Sequence, residues 1–235
     1  MSNEGFSLKK VFEESKMVLF SPKEYFSSME TSGGLGAPIL KVLVYGVIAG
    51  IFALLWSVLN ISGIGGGMFG GAIGIGAFFM TIIFAVIGVF VGGLIVLIIS
   101  SICSGNGEFE PNMRVAAAIM VIMPINAFLG FFDGISPILG SIINLALNLY
   151  ALYLLYIAVT VSLKGKDQSA RIVSYVLGGL LILFMVIGMA TRSAVKKGTK
   201  FYDKELNKAM EEYQDAAKEA AKALEEEAEE LEDEE

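Results

Sequence analysis

Ser141, Asn144 and Asn148 recur at spacings of three and four inside an apolar stretch, which on a helix sets one hydroxyl and two carboxamides along a single face. Carboxamides carry paired donors and acceptors, so they bind small ligands and bond to each other equally well. In hydrocarbon an unpartnered polar group costs several kcal/mol, and the stripe must face other helices or water. Two chemistries remain open: hydrogen bonding between helices, with Asn126 as a further amide, or the lining of a ligand or permeation path. A second group is cationic. Arg114, Lys164, Lys166 and Arg171 stand at the edges of apolar segments, where such side chains contact lipid phosphates. Arg114 follows Glu108 and Glu110 closely, so it either snorkels to headgroups or pairs with one of those acids.

Reaction chemistry finds little purchase. There is no His in the chain and only one cysteine, Cys103, so the commonest zinc, haem and di-iron ligand is missing and no internal disulfide can form. No nucleophile with an adjacent base and no paired carboxylates fall within the apolar segments. The expectation is a protein without enzymatic activity, cofactor or metal. Cys103 sits where thiols can be acylated and is read as unmodified. The run Ser62-Gly63-Ile64-Gly65-Gly66-Gly67 resembles a phosphate loop only in composition, since no Lys follows and no strand precedes it. It is read as a turn.

The elements that position these residues follow from charge. No Asp, Glu, Lys or Arg occurs from 42 to 107, and only eight occur from 42 to 191. A hydrocarbon layer imposes such a pattern, and each helical crossing needs roughly 20 apolar residues. Five segments qualify, at about Pro38–Asn60, Gly71–Ser101, Met113–Phe132, Pro137–Leu163 and Ala170–Thr191. The third is expected to be irregular, because Pro124 removes a backbone donor near its middle. Gly46 with Gly50, Gly70 with Gly74, and Gly88 with Gly92 are four apart, the spacing that lets helix backbones approach closely.

The predicted fold class is thus all-α: an integral membrane bundle of five transmembrane helices over 31–191, preceded over 1–30 by an amphipathic segment and followed over 192–235 by a basic, then acidic, helical tail. In the first segment, Leu8, Val11, Phe12 and Leu19 share one face of a helix from Phe6 to Phe20, which is too short to cross and is expected to rest on the bundle or the membrane interface. With no leader-like apolar run in Met1–Lys10, the first span is expected to serve as the targeting signal. The tail repeats Leu206, Met210, Tyr213, Ala217, Ala220, Leu224 and Leu231 in a weak heptad-like stripe, suited to a solvated helix or a coiled coil. Residues 198–235 hold five basic and fifteen acidic groups, which makes nucleic acid a poor partner.

Nine basic residues fall between the N-terminus and Lys41, at Arg114 and at Lys164–Arg171, whereas the loops on the other side hold none. The positive-inside bias places the N-terminus in the cytoplasm. Five crossings then put the C-terminus outside, against the cluster Arg192, Lys196, Lys197 and Lys200. We read five spans despite that conflict.

Several motifs occur in a telling order. Phe20-Ser21-Pro22-Lys23-Glu24-Tyr25-Phe26 precedes the first span, Gly36-Ala37-Pro38 opens it, and Glu110-Pro111-Asn112-Met113-Arg114-Val115-Ala116 runs toward Pro124 in the third. Leu149-Tyr150-Ala151-Leu152-Tyr153 and then Gly165, Ser169, Ala170 and Arg171 follow. Over roughly residues 16–190 this order resembles the Yip family. The resemblance implies a five-span helical domain with a cytoplasmic N-terminus, and its eukaryotic members are linked to Rab GTPases, vesicle traffic and membrane shaping. This chain lacks their long N-terminal region and is more similar to short prokaryotic members. The expected function is therefore a non-enzymatic organiser of membrane or partner proteins in a cytoplasmic membrane, the alternative being a transporter or channel for a lipid or small solute. Expected partners are the bilayer and a protein or second copy met through the spans or the tail.

Overall fold

A computed structural model describes residues 7–59 and 70–191, the backbone alone at 70–73, together with Met210. Asn60, the Gly-rich turn, the surroundings of Gly70 and the heptad-like tail lie outside the described residues, except that Met210 is helical. The chain divides into two compact units, Met1–Met185 and Val186–Glu235. Everything that follows on packing concerns the first.

Its regular structure is helical: α1 Leu8–Phe20, α2 Pro22–Ser28, α3 Gly36–Val58, α4 Gly70–Ile102, α5 Phe109–Ile119, α6 Ile122–Leu129, α7 Phe131–Ile135 and α8 Pro137–Ile157. The last described helix, α9, is Asp167–Thr191. Five stretches are long and apolar enough to cross a bilayer: Gly36–Val58, Gly74–Ile102, Phe109–Ile135, Pro137–Ser162 and Asp167–Thr191. Each overlaps one of the segments expected from charge.

The third crossing is broken, for the anticipated reason. Pro124 has no N–H to offer the carbonyl four residues back, Met120, and its ring crowds that carbonyl. The Met120 carbonyl instead accepts from Met123 N at 2.9 Å, and Val121 N bonds Ala118 O at 3.2 Å, so a tighter turn separates α5 from α6. At the end of the fourth crossing, Ala158–Ser162 form a π turn in which Leu163 N reaches back to Ala158 O at 3.0 Å. Pro137 at the first turn and the Ser136 hydroxyl, which accepts from Leu139 N, start α8.

Glycine sets the crossing of α3 and α4. A side chain at Gly50 would fall 2.8 Å from Phe78, one at Gly46 3.0 Å from Ala85, and one at Gly74 3.0 Å from Leu54 and Ser57, so α3 and α4 touch backbone to backbone. Gly93, absent from the spaced pairs, does the same against Met113 of α5 at 3.1 Å. Gly88 and Gly92 are looser, at 3.7 Å from Met120 and 3.4 Å from Ala116.

The apolar residues of α1 divide between the bundle and the outside. Val11 and Val18 are buried and Leu19 packs against the core, but Leu8 and Phe12 are 64% and 75% exposed. The seam instead follows 11, 15 and 18, with the Ser15 hydroxyl 2.7 Å from the Tyr45 hydroxyl of α3. Motif residues Tyr25 and Phe26 of α2 are buried, and α2 packs on the π turn. Far from these short helices, Phe52, Trp56, Phe128 and Phe131 cluster, and Trp56 Nε1 donates to Ala127 O at 2.9 Å.

Candidate functional site

Charged groups gather at the α1–α2 end of the bundle. Lys41 lies five residues into α3, about 7 Å along its axis, and points at α1 rather than at lipid. It pairs with Glu14, its side chain 13% exposed, and donates to the Tyr25 hydroxyl at 2.9 Å. Its ammonium also lies 5.4 Å from the Tyr25 ring centroid. Burial pushes the Tyr25 phenol above its ordinary range, against the pull of the Lys41 charge and hydrogen bond. A cation within a span is a functional signal in itself, and Lys41 was legible as one, being the last charge before the long uncharged run. Only its partner, Glu14, was out of reach.

Beside this pair Arg114 serves a second clamp. Its Nε donates to Glu110 Oε1 at 3.1 Å and its Nη2 to Gly34 O at 2.9 Å, while Gly34 N donates to the same Glu110 oxygen at 2.6 Å. Gly33 and Gly34 adopt φ of +117° and +88°, conformations that glycine alone takes easily. A carboxylate and a guanidinium one helical turn apart thus fasten the loop ahead of α3. Between the two clamps lies a cavity of about 310 Å³ walled by Lys10, Glu14, Tyr25, Glu30, Lys41 and Arg114. With both signs on its walls it suits a small polar or zwitterionic group more than a simple anion.

Below the clamps two loops interlock. Asn106 N donates to Leu163 O at 2.8 Å, Lys166 N to Cys103 O at 2.7 Å, and Asn112, fully buried, donates to Asn106 O and Glu108 O. Gly105 and Gly165 make this possible, since a side chain on either would strike Ser100 at 2.6 Å or Val159 at 2.8 Å. Cys103 lies inside the clasp, fully buried, and burial raises its thiol pKa.

The expected site residues separate on this framework. Asn144 donates to Asn126 Oδ1 at 3.4 Å, linking α8 to α6, whereas Asn148 bonds back to Asn144 and the Ser141 hydroxyl to Pro137 O. Asn148 also reaches the wall of an apolar cavity of about 410 Å³ framed by α4, α5, α8 and α9. Of the four cations, Arg114 is held inside the clamp, while Lys164, Lys166 and Arg171 are exposed together at the other loop, Arg171 bonding Asp167 at 2.8 Å. No group of three or more His, Cys, Asp or Glu that could hold a metal occurs among the described residues.

Five apolar crossings with a polar end built of short helices and loops define a multi-pass helical membrane protein. A family profile described as the Yip1 domain matches residues 16–188, and the chain belongs to that family. The match takes in Ser21–Phe26, Gly33–Pro38 and Glu110–Arg114, the residues that build the polar end. No curated protein and no solved structure matches the chain.

Proposed function

We propose that this protein is a non-enzymatic organiser of the cytoplasmic membrane of a prokaryote, presenting α1, α2 and the two interlocked loops to the cytoplasm as a platform for lipid headgroups or a protein partner. The observation that carries the reading is how the charges are spent. Lys41 and Arg114 are held by Glu14 and Glu110 to fix the platform on the spans, which leaves Lys9, Lys10, Lys16 and Lys23 on its surface, Lys9 beside Glu13 at 3.8 Å and Lys10 with a contact of its own. Exposed Leu8 and Phe12 beside these lysines suit contact with a membrane surface. The orientation rests on the positive-inside bias. Photo-cross-linkers at Lys9, Glu13 and Lys23 in native membranes test it: discrete adducts, lost when Lys9 and Lys23 are changed to Glu, are expected.

A carrier of a lipid or small solute is the second reading, favoured by the apolar cavity that Asn148 reaches. Flux of solutes and lipid exchange in proteoliposomes distinguishes the two. If Asn144→Leu with Asn148→Leu abolishes flux in a stable protein, the carrier reading replaces the organiser.

A further inference from the structure

We propose that the groove between α8 and α9 is a binding site for one acidic phospholipid. It shares the Lys164–Lys166 loop with the proposed platform but needs only a membrane protein, so it survives failure of the organiser reading.

The fifth crossing stands off its neighbours: from 167 to 185 only Ala170 is buried. The gap it leaves toward α8 is a groove of about 690 Å³ that runs from Arg171 past Tyr153, Tyr156 and Tyr175 to Gly178, Gly179 and Ile182. Arg171 to Ile182 is about 16 Å along the helix, close to one leaflet of a roughly 30 Å hydrocarbon core. The groove thus has the length of an acyl chain, a headgroup-level cation at one end and hydrocarbon depth at the other.

Its glycines are not packing glycines. A side chain at Gly179 would meet nothing within 4 Å, and one at Gly178 would touch Leu152 at 3.5 Å and Leu149 at 3.9 Å in ordinary contact, whereas those at Gly46, Gly50 and Gly74 would strike the facing helix. The missing side chains of Gly178 and Gly179 deepen a groove instead of closing one.

Charge selects the occupant. Arg171 stands on the groove wall and is held by Asp167, which also accepts from the Tyr156 hydroxyl, while Lys164 and Lys166 lie exposed in the loop just ahead of α9. Residues 164–171 thus carry three basic groups against one acidic, a surplus of two positive charges at the end of α9 where a phosphate would lie. The charged cavity under α1 differs, since Glu14 and Glu30 stand on its walls beside Lys10, Lys41 and Arg114, and the cavity at Asn148 has no cation on its wall. Tyrosines at Tyr153, Tyr156 and Tyr175 sit between the cations and the glycines, at the depth where amphipathic rings favour the interface.

The test is native mass spectrometry of the full chain in mild detergent, titrated with phosphatidylglycerol or phosphatidylcholine. The first phosphatidylglycerol should bind about fivefold or more tighter than phosphatidylcholine, since each basic residue near an acidic lipid is worth about that factor. Lys164→Gln, Lys166→Gln and Arg171→Gln together should bring the ratio to within about twofold, and Gly179→Leu should abolish tight binding of both lipids. Equal affinity of the parent for the two lipids, or a preference unchanged in the triple variant, would overturn the site. Displacement of phosphatidylglycerol by soluble glycerol phosphate would overturn the lipid assignment in favour of a free anion at the loop. Should Gly179→Leu not fold, the triple variant decides alone, because its three side chains are exposed.

Discussion

Lys41 and Glu14 compensate each other in a place where neither is tolerable alone. Removing one member of a buried ion pair leaves a desolvated charge, so Lys41→Met should lower stability by roughly 3 kcal/mol, while Lys41→Met with Glu14→Leu should recover most of that loss. Steric-trap or denaturant titration in bicelles reads both; a double-variant loss equal to the sum of the Lys41→Met and Glu14→Leu losses would mean the pair contributes nothing. Tyr25, bonded to Lys41, adds a pH signature. Its folded-state pKa lies above the ordinary 10.0, so the phenol's contribution is complete below pH 10 and is lost as pH rises through the higher folded value. Tyr25→Phe should flatten that alkaline decline. Cys103 is fully buried with a raised pKa, and its labelling by maleimide in the folded protein should be on the order of a hundredfold slower than that of a free thiol. Rapid labelling at neutral pH would show that the loop clasp opens.

At the scale of elements, contact distance decides which glycines matter. Gly50→Ala places a methyl 2.8 Å from Phe78 on a backbone-limited crossing and should cost about 1–3 kcal/mol, whereas Gly179→Ala meets open space and should stay within about 0.5 kcal/mol of the parent. The same unfolding assay compares the pair, and similar losses at both sites would contradict the described crossing. For α1 the docked face is Val11, Ser15 and Val18. Val18→Asp should raise hydrogen exchange throughout 8–20, and Phe12→Asp, at an exposed position, should leave it unchanged in detergent. The reverse result would restore the face expected from apolar periodicity.

For the whole molecule the decisive measurement is topology. An odd number of crossings places the two ends of the chain on opposite sides, although Arg192, Lys196 and Lys197 follow the fifth. With Cys103 replaced by Ala, new cysteines at position 3 and near position 230 should differ in labelling by an impermeant reagent added outside intact cells. Equal protection of both would mean that one apolar helix does not cross, and α9, the least buried, would be the first suspect. The bundle itself is polarised. Lysine, arginine and their acidic partners hold one end, and Phe52, Trp56, Phe128 and Phe131 gather at the other, as two membrane interfaces of unlike composition demand.

Residence in a membrane, five apolar crossings, the break before Pro124 and the close approach at Gly46 and Gly50 were all readable from residue order. Each depends on local composition or on a short fixed spacing, and hydrocarbon enforces it whatever the rest of the chain does. The family motifs were readable as an order, yet their purpose was not: Arg114 reaches Gly34 across 80 residues, and Lys41 finds Glu14 on a separate helix. The same holds for α1, whose apolar face was plain while the face that packs on the bundle includes Ser15 against Tyr45, and for the groove at Gly178 and Gly179, glycines of the kind that elsewhere seal a crossing. Such pairings depend on how far each helix is rotated and shifted against its neighbours. Many weak contacts fix that angle and register together, so only the tertiary structure decided them.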